Sequence, residues 1–206
     1  NTLRRAQEKG LRIVLASGRP TYGITPLAEQ LQLERFGGYI LSFNGGQIID
    51  CQTNKVIYET VLDPAHYDYL YEQGNTDDFK IISYEDNYIV GEDIENEYIK
   101  YEAFLNKMPL KKVENFRKHF NCPLPKCLVV GEPTKLAELE KKMHEKLKDV
   151  MSVYRSEPFF LELLPLGIDK AKSLAVLLER IGLTREEMMA CGDGFNDLSM
   201  IQFAGM

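Results

Sequence analysis

The six residues Leu11–Ala16 (LRIVLA) are nearly continuous in apolar side chains and run straight into Ser17-Gly18-Arg19-Pro20. A short run of this kind is what a strand buried on both faces requires, and such strands belong to parallel sheets covered by helices. The flanks agree. Residues 1–10 place Leu3 and Ala6 on one helical face, with Gly10 where a C-terminal cap belongs. After SGRP the spacing predicts a helix to about Leu33, then a strand over Gly38–Phe43 ended by Asn44-Gly45-Gly46. Gln47–Leu62 alternates enough for a hairpin. Alternating helix and strand constrain this part of the chain to an α/β sheet.

The middle reads differently. Asp63-Pro64 is a good helix start, with Asp at the N-cap and Pro at the first helical position. Lys80–Gly91, Lys126–Val130 and Ser152–Leu164 supply strand material, and Thr134–Val150 carries the clearest helical periodicity in the chain. Lys170–Ile181 then predicts an amphipathic helix closed by Gly182. Thr184–Glu187 fits a capping box, Met188–Cys191 a short buried strand, and Gly192–Asp197 (GDGFND) the loop beyond it. The expected organisation is an α/β core of 1–61 and 161–206, with a Rossmann-like parallel sheet, interrupted by an inserted α+β domain over 62–160.

Composition narrows the function classes. With 206 residues, 44% hydrophobic and 27% charged, the chain can bury a core. No apolar run approaches the ~18 residues of a membrane span. A net charge of −6 argues against nucleic acid as partner. The four scattered cysteines read as reduced thiols of a cytoplasmic protein.

Three short stretches carry chemistry. In GDGFND, Asp193, Asn196 and Asp197 crowd a Gly-rich turn after an apolar strand, where ligands of open α/β sheets bind. Their oxygens suit a hard cation such as Mg²⁺; the alternative is a solvated turn with Asp as a helix cap. Ser17-Gly18-Arg19 offers a hydroxyl, backbone N–H groups and a cation to an anion, or else a plain cap with Ser17 at its head. Lys170 opens a helix, where a cation opposes the macrodipole. Either an anion sits beside it, with the ammonium between Ser17 and Asp193, or the ammonium reaches solvent.

SGRP, Asn44-Gly45-Gly46, GIDKA (Gly167–Ala171) and GDGFND, in this order, resemble the haloacid-dehalogenase-like phosphatases of the Cof type. The resemblance covers essentially the whole chain and implies a Mg²⁺-dependent phosphatase of small phosphate esters, sugar phosphates foremost, acting as a monomer or weak dimer. It implies a cap domain inserted where the middle domain stands, which chooses the substrate. By the same resemblance Ser17, Gly18 and Arg19 bind the phosphoryl group, Asn44 lines the substrate side, and Lys170 neutralises charge. Asp193 holds the metal, Asn196 lies beside metal and phosphate, and Asp197 braces Lys170 or the metal shell.

The family's nucleophile, the first Asp of a DxDGT motif, has no counterpart in residues 1–206. The core is therefore expected to be incomplete at both ends and inactive by itself. The strands ending at Ser17 and Gly192 are expected to stand about 9–10 Å apart, two strand spacings, rather than paired. Two alternatives are a phosphomannomutase-like phosphotransferase and a non-catalytic sugar-phosphate binding protein.

Overall fold

A computed structural model describes residues 2–206. The chain divides into two compact units, one of 1–60 and 168–206 and one of 61–167.

In the first unit, helix α1 (Thr2–Glu8) leads to strand β1 (Val14–Ala16), then helices α2 (Thr21–Leu31) and α3 (Leu33–Phe36). Gln32, left-handed at φ 58°, ends α2 close to the end expected at about Leu33, and α3 is a further short helix beyond it. Strands β2 (Tyr39–Ser42), β3 (Gln47–Asp50) and β4 (Lys55–Glu59) complete a four-stranded sheet of order β1-β2-β3-β4. Only β1 and β2 are parallel; β2-β3-β4 is an antiparallel meander, so the sheet is mixed. Ile40 and Ile49 on one face pack with Ile24, Ala28, Leu31 and Leu33 of the two helices. Tyr39, Leu41 and Ile48 on the other pack with Leu174, Leu177 and Met200. Burial on both faces is what the near-continuous apolar strands required.

Met188–Cys191, expected as a strand, makes no ladder among the described residues. Its backbone bonds instead to the end of the chain: Met206 N–H donates to Met188 O at 3.2 Å and Ala190 N–H to Met206 O at 3.0 Å. A strand exists only through a hydrogen-bonded neighbour, and β1, whose one partner is β2, does not pair with it.

The second unit contains helix α4 (Tyr67–Gly74), strands β5 (Phe79–Glu85) and β6 (Tyr88–Gly91), helix α5 (Glu97–Asn106), strand β7 (Leu110–Lys112) and helix α6 (Phe116–His119). Strand β8 (Cys127–Gly131), helix α7 (Pro133–Leu147), and strands β9 (Met151–Glu157) and β10 (Phe160–Pro165) follow. The six strands form one sheet of order β7-β6-β5-β8-β10-β9. Because β10 pairs with both β8 and β9, the unit runs to Gly167, past the boundary expected at 160. One face buries Ile81, Val129, Leu161 and Leu163 with Leu70, Phe116, Leu136 and Met143 of α4, α6 and α7. The expected helix at 134–150 is α7, started by Pro133 and capped by Glu132, whose carboxylate accepts from the Thr134 and Lys135 N–H groups.

The opposite face carries α5 and a buried polar cluster. Tyr84 Oη and Asn106 Nδ2 each donate to Glu102 Oε1 at 2.7 Å. Lys126 pairs with Glu162 at 2.8 Å and lies 5.1 Å from the Tyr84 ring centroid. Burial raises the Glu102 carboxyl above its ordinary range, Glu162 adds to the rise, and Lys126 and the two hydrogen bonds oppose it. A raised carboxyl stabilises the fold fully below its unfolded value, and that contribution is lost as pH rises through the folded value. Glu102→Gln is therefore expected to stabilise the protein near pH 7 by about 1 kcal/mol, several degrees in Tm, and to flatten the decline from acid to neutral pH. Calorimetry across that range checks this; a variant less stable at every pH contradicts it.

Candidate active site

The residues singled out in the sequence come from four segments of the first unit. The loop after β1 is joined to the turn after β2 by backbone bonds: Phe43 N–H donates to Arg19 O and Asn44 N–H to Ser17 O, both at 3.0 Å. Arg19 N–H donates to Ser17 Oγ at 3.2 Å, so the hydroxyl shapes its own loop. Ser17 does not cap α2, whose N-cap is Pro20 without a side-chain bond. The Arg19 side chain is exposed.

Asn44 holds φ 58°, ψ 22°, a left-handed conformation that Asn tolerates better than most residues. Its amide leans over Gly18, where a Cβ would lie 2.9 Å from Asn44 Oδ1, so any side chain at 18 would push the Asn44 amide aside. Asn44 Oδ1 also accepts from Asn196 Nδ2 at 3.0 Å, tying this turn to the GDGFND loop.

Helix α8 (Lys170–Ile181) starts at the same place. Asp169 caps it by accepting from Lys172 N–H at 3.1 Å, and Ser173 Oγ donates to Gly45 O at 2.7 Å. This seats Lys170 so that its side chain is 3% exposed rather than directed to solvent. Its Nζ donates to Asp197 Oδ1 at 2.5 Å and lies 3.4 Å from Ala16 O, directly before Ser17.

Asp197 organises its own loop. Oδ2 accepts from Asp193 N–H at 3.2 Å and Gly194 N–H at 3.1 Å, while Oδ1 holds Lys170. The carboxylate folds back so closely that a Cβ at Gly192 would meet Asp197 Cβ at 2.5 Å, which excludes any side chain there. Burial pushes the Asp197 carboxyl up, but the Lys170 bond and the Gly194 N–H outweigh it, and the group lies below the ordinary carboxyl range. Helix α9 (Leu198–Phe203) follows the loop and anchors it through buried Met200.

Ser17 is thus bonded to Asn44, Asn44 to Asn196, and Asp197 to both Lys170 and the Asp193 N–H, with Gly18 in close approach to the Asn44 amide. Sequence reasoning passed over two supports, Asp169 and Ser173. The helix-start signature of Asp before Lys170 could have found the first. The second bonds across 128 residues and leaves no local signal.

The chemistry of the donors fits a hard cation. Asp193 and Asn196 are exposed at the turn and offer carboxylate and amide oxygens, whereas both Asp197 oxygens are occupied by Lys170 and backbone N–H groups. Among the described residues no group of three or more His, Cys, Asp or Glu side chains could hold a metal. A cation there would keep much of its water, as Mg²⁺ does.

The family model of haloacid dehalogenase-like hydrolases matches residues 1–206. The chain is a member of that family. A haloacid dehalogenase-like hydrolase from Bacteroides thetaiotaomicron is 52% identical, superposes with a TM-score of 0.96, and is covered over 77% of its length by this whole chain. A Thermotoga maritima crystal structure is 26% identical with a TM-score of 0.81, over 100% of this chain and 78% of that one. YxeH of Bacillus subtilis, named as a candidate phosphatase, is 28% identical over 211 residues, which are 100% of this chain and 76% of its own. These likenesses show the α/β fold with its cap domain and the class, a phosphoric monoester hydrolase. Among the described residues no helix is long and apolar enough to cross a membrane.

Proposed function

We propose that the protein is a Mg²⁺-dependent phosphatase of small phosphate monoesters, sugar phosphates foremost, working as a monomer or weak dimer in the cytoplasm. The observation that carries the reading is Lys170: a buried ammonium at a helix N-terminus, fixed by Asp197 beside the Ser17–Arg19 loop. Asp197 offsets the cost of a cation at the positive end of the helix, and the ammonium so held stays beside the Ser17–Arg19 loop, where an anionic substrate would add to the pairing.

In this reading the Ser17 hydroxyl and the Gly18 backbone take the phosphoryl oxygens, with Arg19 reaching in from the exposed side. Lys170 neutralises charge on the transferring group, and its electrostatic effect is large because water is excluded from it. Asp197 positions Lys170 and the 193–194 backbone. Asp193 and Asn196 would hold Mg²⁺, which supplies Lewis-acid polarisation of a phosphoryl oxygen. Asn44 bridges to Asn196 and faces the substrate side. The resemblance implies an aspartyl nucleophile that residues 1–206 do not contain, so these residues bind and neutralise rather than attack.

Support for a phosphorylated sugar-like substrate comes from a Bacillus subtilis relative, 28% identical, named a 5-amino-6-(5-phospho-D-ribitylamino)uracil phosphatase. A second relative, from Escherichia fergusonii and 25% identical, is named an HMP-PP phosphatase. A phosphate-release screen over sugar phosphates, nucleotides and flavin or pyridoxal phosphates, run on full-length protein that carries the aspartyl nucleophile, with Mg²⁺ and with EDTA, tests this. Release from sugar phosphates that EDTA abolishes is expected. Release unaffected by EDTA removes the metal, and transfer that needs a bisphosphate points to a mutase.

A further inference from the structure

Away from the residues above, Arg4, Arg5 and Glu8 of α1 and Gln32, Arg35 and Phe36 at α3 line a cleft of about 320 Å³. Its walls are held together, since Gln7 Nε2 donates to Leu31 O at 2.8 Å in a buried bond. Three guanidiniums and one carboxylate leave the lining at +2, in a chain whose net charge is −6. The arginine ion pairs among the described residues belong to Arg117, Arg155 and Arg185, not to these three. Arg4 Nε is buried and has no partner among the described residues. The Arg35 guanidinium lies 5.1 Å from the Phe36 ring centroid, a contact that orients its planar fork.

We propose that this cleft binds a compact phosphate-bearing anion, at a second site that shares no residue with the hydrolytic one. Clustered like charges are unfavourable unless a counter-charge joins them, and a buried donor left unpaired costs free energy that a bound acceptor recovers. A phosphate monoester dianion matches the charge of the lining, and its three terminal oxygens suit several guanidinium forks better than the two of a carboxylate do. Glu8 and Gln32 supply acceptors, which favours a ligand that also carries a hydroxyl over a bare polyanion.

Inorganic phosphate is the probe, titrated into the intact protein in EDTA and followed by NMR of the arginine Nε–Hε groups. The Arg4 and Arg35 signals are expected to shift together and saturate, with a Kd on the order of millimolar. Arg35→Gln should weaken binding about tenfold, and Arg35→Lys, which keeps the charge without the fork, should weaken it nearly as much. The shifts should persist in Lys170→Met. Equal shifts from sodium chloride at matched ionic strength would overturn the proposal. So would saturation unchanged by Arg35→Gln, or shifts that vanish in Lys170→Met.

Discussion

Made in protein that carries the aspartyl nucleophile, Lys170→Met is expected to lower kcat by about three orders of magnitude while Tm falls by about 10 °C. Methionine keeps the apolar length of the side chain and removes its charge. The ammonium is 3% exposed, so solvent cannot replace it, and the charge on the transferring phosphoryl group would stay uncompensated. Asp197 keeps its two backbone N–H donors, but removing one partner of a buried pair strands the other charge and costs about 3–5 kcal/mol. The lowered Asp197 carboxyl stabilises the fold above the ordinary carboxyl range, and this is lost as pH falls through the lowered value. Without Lys170 that acid loss should begin at higher pH. Turnover of a generic aryl phosphate and thermal melts between about pH 3 and 7 read both effects. A kcat within tenfold of wild type refutes the electrostatic role, and a variant unfolded at the assay temperature refutes the separation of activity from stability.

In full-length protein that carries the aspartyl nucleophile, Asp193→Ala should reduce Mg²⁺-dependent hydrolysis by two or more orders of magnitude, with little change in Tm. Asp193 contributes its backbone N–H to the Asp197 carboxylate, whereas its own carboxylate is exposed at the turn. Alanine keeps that N–H, so the loop should survive and the loss should fall on the metal. Raising Mg²⁺ should restore part of the rate if affinity is what suffers, and Asp193→Asn should fall between the two. Near wild-type turnover at saturating Mg²⁺ would remove Asp193 from the metal site.

The strands and helices that were legible beforehand share one property: their buried faces are apolar at a regular spacing. Leu136, Leu139, Met143 and Leu147 of α7 are all buried at helical intervals. Helix α5 was missed for the opposite reason. Its inward face includes Glu102 and Asn106, both buried, while Phe104 is 76% exposed, so no apolar stripe marks it. Met188–Cys191 looked like a strand because its composition is apolar, but composition supplies no hydrogen-bond partner.

Within the candidate site, the sequence by itself determined which chemical groups stand at the ends of the strands. Gly-rich turns follow apolar runs, and oxygen donors, a lysine and small residues fill them. Local spacing is enough for that, because turns and caps depend on neighbours a few residues away. What only the tertiary structure decided is what those groups do to one another. Lys170 reaches Asp197 across 27 residues, Asn44 reaches Asn196 across 152, and Ser173 reaches Gly45 across 128. Whether Lys170 pointed to water or to the loops, and whether Asp197 faced a cation or a buried ammonium, depended on burial. Burial is a property of the packed chain, set where α8 and the GDGFND loop close against the sheet, and no spacing within one segment encodes it.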